Sequence, residues 1–332
     1  MSTLTQFDSG PDTGAAKLVN LQVSNWQTRT SAANNSWHAI AWNGTVFAAV
    51  AESGVGNRVM TSPDGITWTS RTSSSDAGWW AIAWNGTVFA AVADNAVMTS
   101  PDGITWTSRT AAASVEWRGI AWNGTVFAAV GSSGAGNRVM TSPDGITWTS
   151  RTSASNQSWF SIAWNGTVFA AISAGGAVGV QVQTSPDGIT WTIRTSAAAN
   201  TWQSVAWNGT LFAAVASGAT GNGVMTSPDG ITWTSRTSAA DNDWQGIAWN
   251  GTVFAAVADS GTGNRVMTSP DGITWTIRTS AADNNLYGIA WNGLGTAPMY
   301  LLPAAGTGTV FAAVSISGTG NRVMTSLFLK DE

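Results

Sequence analysis

Between Trp37 and Thr72 the apolar residues come in short bursts, WHAIAW, TVFAAVA, NRVMTS and ITWTSRT. Asn-Gly, a Gly-rich stretch and Ser-Pro-Asp-Gly separate them. No burst repeats its apolar positions with a helical period, and none has the length of a helix, so all four read as β-strands. Asn43-Gly44 predicts a hairpin, because both residues tolerate the positive φ of a type I′ turn. Ser62-Pro63-Asp64-Gly65 predicts a second tight turn, with Pro at its first corner and an Asp side chain able to accept backbone N–H groups.

The same unit returns along the chain. Asn-Gly follows Trp42, Trp84, Trp122, Trp164, Trp207, Trp249 and Trp291, at spacings of 42, 38, 42, 43, 42 and 42 residues. A four-strand unit at this period predicts the blade of a β-propeller. The count of strands predicts the closure. A fourth-type strand, NWQTRT (25–30), precedes every first strand, and the last unit stops after its third, NRVMTS (321–326). The N-terminal strand should therefore complete the C-terminal blade and remove the open edges of the ring. The expected fold is all-β, a seven-bladed propeller of four-stranded antiparallel blades over residues 20–332, with 1–19 a tail or attachment segment.

Composition narrows the partners. Charged residues make up 10% of the chain and the net charge is −4, so there is no basic patch for nucleic acid. The absence of cysteine excludes disulfides and thiolate metal sites, and the single histidine, His38, excludes a His-based triad or a His cluster for zinc. No metal and no cofactor is expected. The N-terminal sequence has neither the basic start nor the apolar core of a signal peptide, and no apolar run is long enough to enter a membrane as a spanning helix.

Ser62, Asp64, Gly65, Thr67 and Trp68 resemble, in order, the Ser-x-Asp-x-Gly-x-Thr-Trp box of the Asp-box (BNR-like) propellers, although the box here is one residue shorter. The whole-chain pattern is similar to highly repetitive propellers of bacterial and phage fibre proteins. That likeness implies a virion or extracellular setting and a tail-fibre component. Enzymes of the Asp-box family imply a carboxylate acid, a Tyr–Glu pair and an Arg triad. Only Tyr287 and Tyr300, and Glu52, Glu116 and Glu332, are available for the pair. The expectation is a chain without enzymatic activity.

Twenty of the 21 Trp residues fall on three positions of the unit. Trp68 and its counterparts in the fourth strand, sharing a face with the Ile two residues earlier, and Trp42 with its counterparts at the end of the first, read as core between blades. The third set, Trp37, Trp79, Trp117, Trp159, Trp202 and Trp244, opens the first strand and reads either as core or as the floor of a ligand pocket. The residue after it differs from unit to unit: His38, Trp80, Arg118, Phe160, Gln203, Gln245 and, after Leu286, Tyr287. With the loop between second and third strands, these residues form a face that varies among the repeats.

Two readings of that face stand. It is a multivalent recognition surface, its aromatic, Arg and amide side chains suited to glycans, or its loops have drifted without restraint. Arg58, Arg138, Arg265 and Arg322 before the third strand would add contacts to acidic ligands. In the last unit, 294–308 is an insertion carrying Met299, Tyr300, Leu301 and Leu302, either a plug or a partner contact. Through it, or through the N-terminal tail, the propeller would join a larger assembly. A structural or protein-interaction scaffold without sugar affinity is the alternative function.

Overall fold

The structure, a computed structural model, describes residues 26–176, 179–293 and 310–327. The described strands form seven antiparallel sheets of four strands each, and no helix occurs among these residues. Blade 1 runs Trp37–Trp42, Phe47–Ala51, Val59–Ser62 and Thr69–Arg71, from the axis outward. The innermost strands of neighbouring blades pack against each other right round the ring, blade 7 against blade 1 included.

The ring closes through the chain ends. Gln27–Arg29 pairs antiparallel with Val323–Leu327, setting Gln27 opposite Thr325, Thr28 opposite Met324 and Arg29 opposite Val323. Arg29 Nε donates to Thr325 Oγ1 at 2.8 Å, as Arg71 Nε donates to Thr61 Oγ1 at 2.9 Å inside blade 1. The added strand thus reproduces the covalent blades down to its side-chain bonds.

Both faces of each second strand are covered, which is why Phe47–Ala51 is buried throughout. Phe47, Ala49, Ala51 and Met60 pack towards blade 7, whereas Ala48, Val50 and Val59 pack towards blade 2. Small side chains alternating with large ones let adjacent sheets approach closely.

The turns differ in detail from expectation. Trp42 pairs with Phe47, so the first hairpin carries a four-residue loop, 43–46, and not a two-residue type I′ turn. Only Gly44 has a positive φ there; the Asn43 side chain accepts from Thr45 N and Val46 N and takes over the closing role. In the Ser-Pro-Asp-Gly turn, Asp64 Oδ1 accepts from Ile66 N and Thr67 N, Ser62 Oγ accepts from Gly65 N, and Trp68 Nε1 donates to Gly65 O. The outer strand consequently begins only at Thr69, and the period-2 argument that placed Ile on the face of Trp fails. Trp106 is buried while Ile104 remains 47% exposed. The segment 1–19 and the insertion 294–308, with Met299, Tyr300, Leu301 and Leu302, lie outside the described residues.

Candidate functional site

Every inner strand carries a β-bulge at the residue after its first Trp or, in blade 7, after Leu286. Trp37 pairs with Ala51 and Ala39 with Val50, leaving His38 as the extra residue. The same break occurs at Trp80, Arg118, Phe160, Gln203, Gln245 and Tyr287. A bulge inverts the alternation of the strand and re-aims the side chain beside it. Here it brings Trp37 onto the same face as Ile40 and Trp42, in the core against blade 7, and turns His38 to the axis.

The seven bulge residues thereby line one axial cavity of about 330 Å³, with the Ile40 layer beneath them. The residue after each must be small, because it faces the backbone of the next blade. A Cβ on Gly246 would lie 2.2 Å from Tyr287 O, and one on Gly288 2.7 Å from His38 O. Ala39, Ala81, Ser161 and Ser204 fill the corresponding places elsewhere.

Side chains of blades 6, 7, 1, 2 and 3 interlock into an arc. The Tyr287 hydroxyl donates to Asp259 Oδ2 at 3.1 Å. The His38 ring meets Tyr287 edge-on at 4.9 Å and Trp80 at 4.4 Å between centroids. Arg118 Cζ sits 3.7 Å from the Trp80 ring centroid, a cation–π contact, and its Nη2 donates to Glu116 Oε2 at 3.0 Å. Trp80 Nε1 donates to Asp94 Oδ1 at 3.0 Å.

His38 Nε2 lies 2.8 Å from Glu52 Oε2. A carboxylate only accepts, so Nε2 carries the hydrogen and Nδ1 the lone pair. Burial lowers the His38 pKa, against the pull of Glu52, and keeps the imidazole neutral at pH 7. Burial, with the charge of Asp259 close by, pushes Tyr287 up to about 12, so its hydroxyl stays a donor. Asp259 is itself raised by burial, although bonds from Gln245 and Tyr287 hold it down. Sequence reasoning missed Glu52, Asp94 and Asp259. Their signal was available: each directly follows the second strand of its blade.

The other candidates fall away from the cavity. Trp37, Trp79, Trp117, Trp159, Trp202 and Trp244 are fully buried between blades, so they are core and not a ligand floor. Trp37 Nε1 donates to Ala33 O at 3.1 Å, and four counterparts make the same bond to the carbonyl four residues back. Arg58 and its counterparts clamp their own loops. Arg58 donates to Gly54 O and Glu52 O, Arg138 to Gly134 O and Ser132 O, Arg265 to Gly261 O and Asp259 O, and Arg322 to Gly318 O and Ile316 O. Asp76, Asp241 and Asp283 clip each entering segment to a backbone N–H of the previous blade, at Gly56, Gly221 and Gly263. Among the described residues no group of three or more His, Cys, Asp or Glu could hold a metal ion.

No family model and no curated protein matches the chain, so the Ser-Pro-Asp-Gly turn remains a resemblance to the Asp box. Solved structures match it in fold. Virginiamycin B lyase from Staphylococcus aureus superposes with a TM-score of 0.74 at 10% identity, over 92% of this chain and 99% of that one. The extracellular domain of a putative one component system from B. thetaiotaomicron gives 0.59 at 10% identity, over 92% of this chain and 40% of that one. The WD40 domain of Toxoplasma gondii coronin gives 0.58 at 10% identity, over 95% and 89%. The expectation of a chain without enzymatic activity is corrected by the first of these. The same ring of blades houses a lyase, so missing the residues of one hydrolase family does not exclude catalysis. At this identity the likeness is one of fold and assigns no reaction.

Proposed function

We propose that the chain is a recognition protein whose axial cavity holds one sugar residue of a surface glycan. One observation carries this reading: seven blades that are otherwise near-copies place His, Trp, Arg, Phe, Gln, Gln and Tyr at one bulge position, all facing one cavity. The loops vary as well, but inside the inner strand change is confined to this one position, since the Trp before it and the Ile-Ala-Trp after it scarcely change. Within the inner strands the variation therefore meets at one cavity and not at seven.

The chemistry suits a saccharide. Aromatic rings stack on the C–H face of a sugar, and carboxamides and a neutral imidazole both give and accept hydrogen bonds to hydroxyls. A volume of about 330 Å³ lies at the small end of ligand pockets, enough for one ring with its substituents. The test is a glycan array probed with the wild-type protein and with Trp80→Ala and Phe160→Ala. Binding of defined glycans, weakened at least tenfold in both variants, is expected. A blank array, or binding indifferent to both substitutions, contradicts the reading.

A further inference from the structure

The side chains around the cavity are not equally free. From blade 6 through blade 3 they are committed to one another: Gln245 and Tyr287 to Asp259, His38 to Glu52, Trp80 to Asp94, Arg118 to Trp80 and Glu116. Blades 4 and 5 differ. The Gln203 carboxamide and the Ser204 hydroxyl line the cavity with no hydrogen-bond partner among the described residues, and the Phe160 ring has no aromatic partner there. In the locked arc the second strands of blades 1, 2 and 6 are followed by Glu52, Asp94 and Asp259, and those of blades 3 and 7 by Ser132 and Ile316; blades 4 and 5 carry Ala174 and Ser217 at that place.

A site recognises through the groups it has not already paired. Breaking the locked contacts would cost a ligand what it gained, so the free valences lie in the open sector. A carboxamide presents one donor and one acceptor side by side, the complement of a secondary amide. The neighbouring Phe160 offers an apolar surface for a methyl group or a ring face. Arg118 is the one formally charged side chain lining the cavity, and it is already paired with Glu116 at 3.0 Å and lies 3.9 Å from Asp94, so no unpaired positive charge is offered to an anionic sugar.

We infer that the axial site selects a neutral N-acetylated sugar, its acetamido group paired with Gln203 and packed on Phe160. This rests on the cavity being a saccharide site, as proposed above. Gln203 is then a specificity residue and Phe160 a binding residue.

Calorimetric titration with N,N′-diacetylchitobiose, cellobiose, sialyllactose and N-acetylglycinamide tests it. Expected is binding of diacetylchitobiose at least tenfold tighter than cellobiose, with sialyllactose weaker than either. Gln203→Ala should bring the first ratio near unity while leaving cellobiose unchanged; Phe160→Ala should weaken both disaccharides. An unaltered thermal midpoint checks that the Gln203 variant is folded, and Gln203→Glu, which removes the donor, provides a second reading with the same expected loss. Equal affinity for the two disaccharides, or a ratio that survives in both Gln203 variants, overturns the acetamido assignment and leaves the saccharide site standing. N-acetylglycinamide binding as tightly as diacetylchitobiose overturns the requirement for a sugar ring. No binding of any saccharide overturns both.

Discussion

Among the residues of the ring, His38 titrates nearest to neutrality. Burial sets its pKa below the ordinary 6.5, with Glu52 opposing and Arg118 assisting the shift; Tyr287 and Trp80 close over it. The unfolded chain therefore takes up this proton more readily than the folded one, and stability is lost as pH falls from about 6.5 through the lowered folded value. Calorimetry at about pH 7.5 and pH 5 should show a larger fall in Tm for the wild type than for His38→Gln; equal falls would contradict the assignment. At this scale the sequence was half legible. The position after the Trp was marked by its variation among the repeats, so all seven ring residues could be named. Which of them are free was not legible, because that depends on partners such as Glu52 and Asp259, contributed by another strand through tertiary pairing.

The inner strand holds the least legible feature of the fold. Strict alternation would put Trp37 with Ala39 and Ala41, and His38 with Ile40 and Trp42. The bulge at position 38 inverts this, and no local residue in Trp-His-Ala-Ile announces it. Its trace is the small residue that follows. Gly246→Ala would press a methyl group against the Tyr287 carbonyl, 2.2 Å away, and should cost about 1–3 kcal/mol, as overpacking does. Ala81→Gly at the equivalent site adds no volume and should cost less, about 0.5–1 kcal/mol, from backbone entropy. Urea denaturation of both variants decides it; a neutral Gly246→Ala would mean that the blades are not held at this spacing. The turns were read more accurately, since Ser62 and Asp64 act through local bonds that residue type alone dictates.

For the whole molecule, counting strands was enough to give seven blades and the seam between the chain ends, because a ring permits no other partner for an orphan outer strand. The repeated turn boxes also make a collective prediction. Partial burial pushes the Asp64 carboxyl up, but the N–H groups of Thr67 and Ile66 and the Ser62 hydroxyl outweigh it and hold the pKa below 3.8. Five further boxes, from Asp102 to Asp271, are shifted in the same direction. The unfolded chain protonates these groups first, so their contribution is whole above about pH 4 and disappears as pH falls through the folded values. Trp fluorescence should show a steep acid transition below about pH 4, and a thermal midpoint unchanged from about pH 4 to pH 2 would contradict it. The central claim, that the variable positions of all blades converge on a single axial site, is tested most directly by ligand stoichiometry. Calorimetric titration of the wild-type chain with its best-binding glycan should give one ligand per chain, weakened at least tenfold by Phe160→Ala. Six or seven equivalent ligands per chain, or one whose affinity is unchanged by this substitution, would contradict the account.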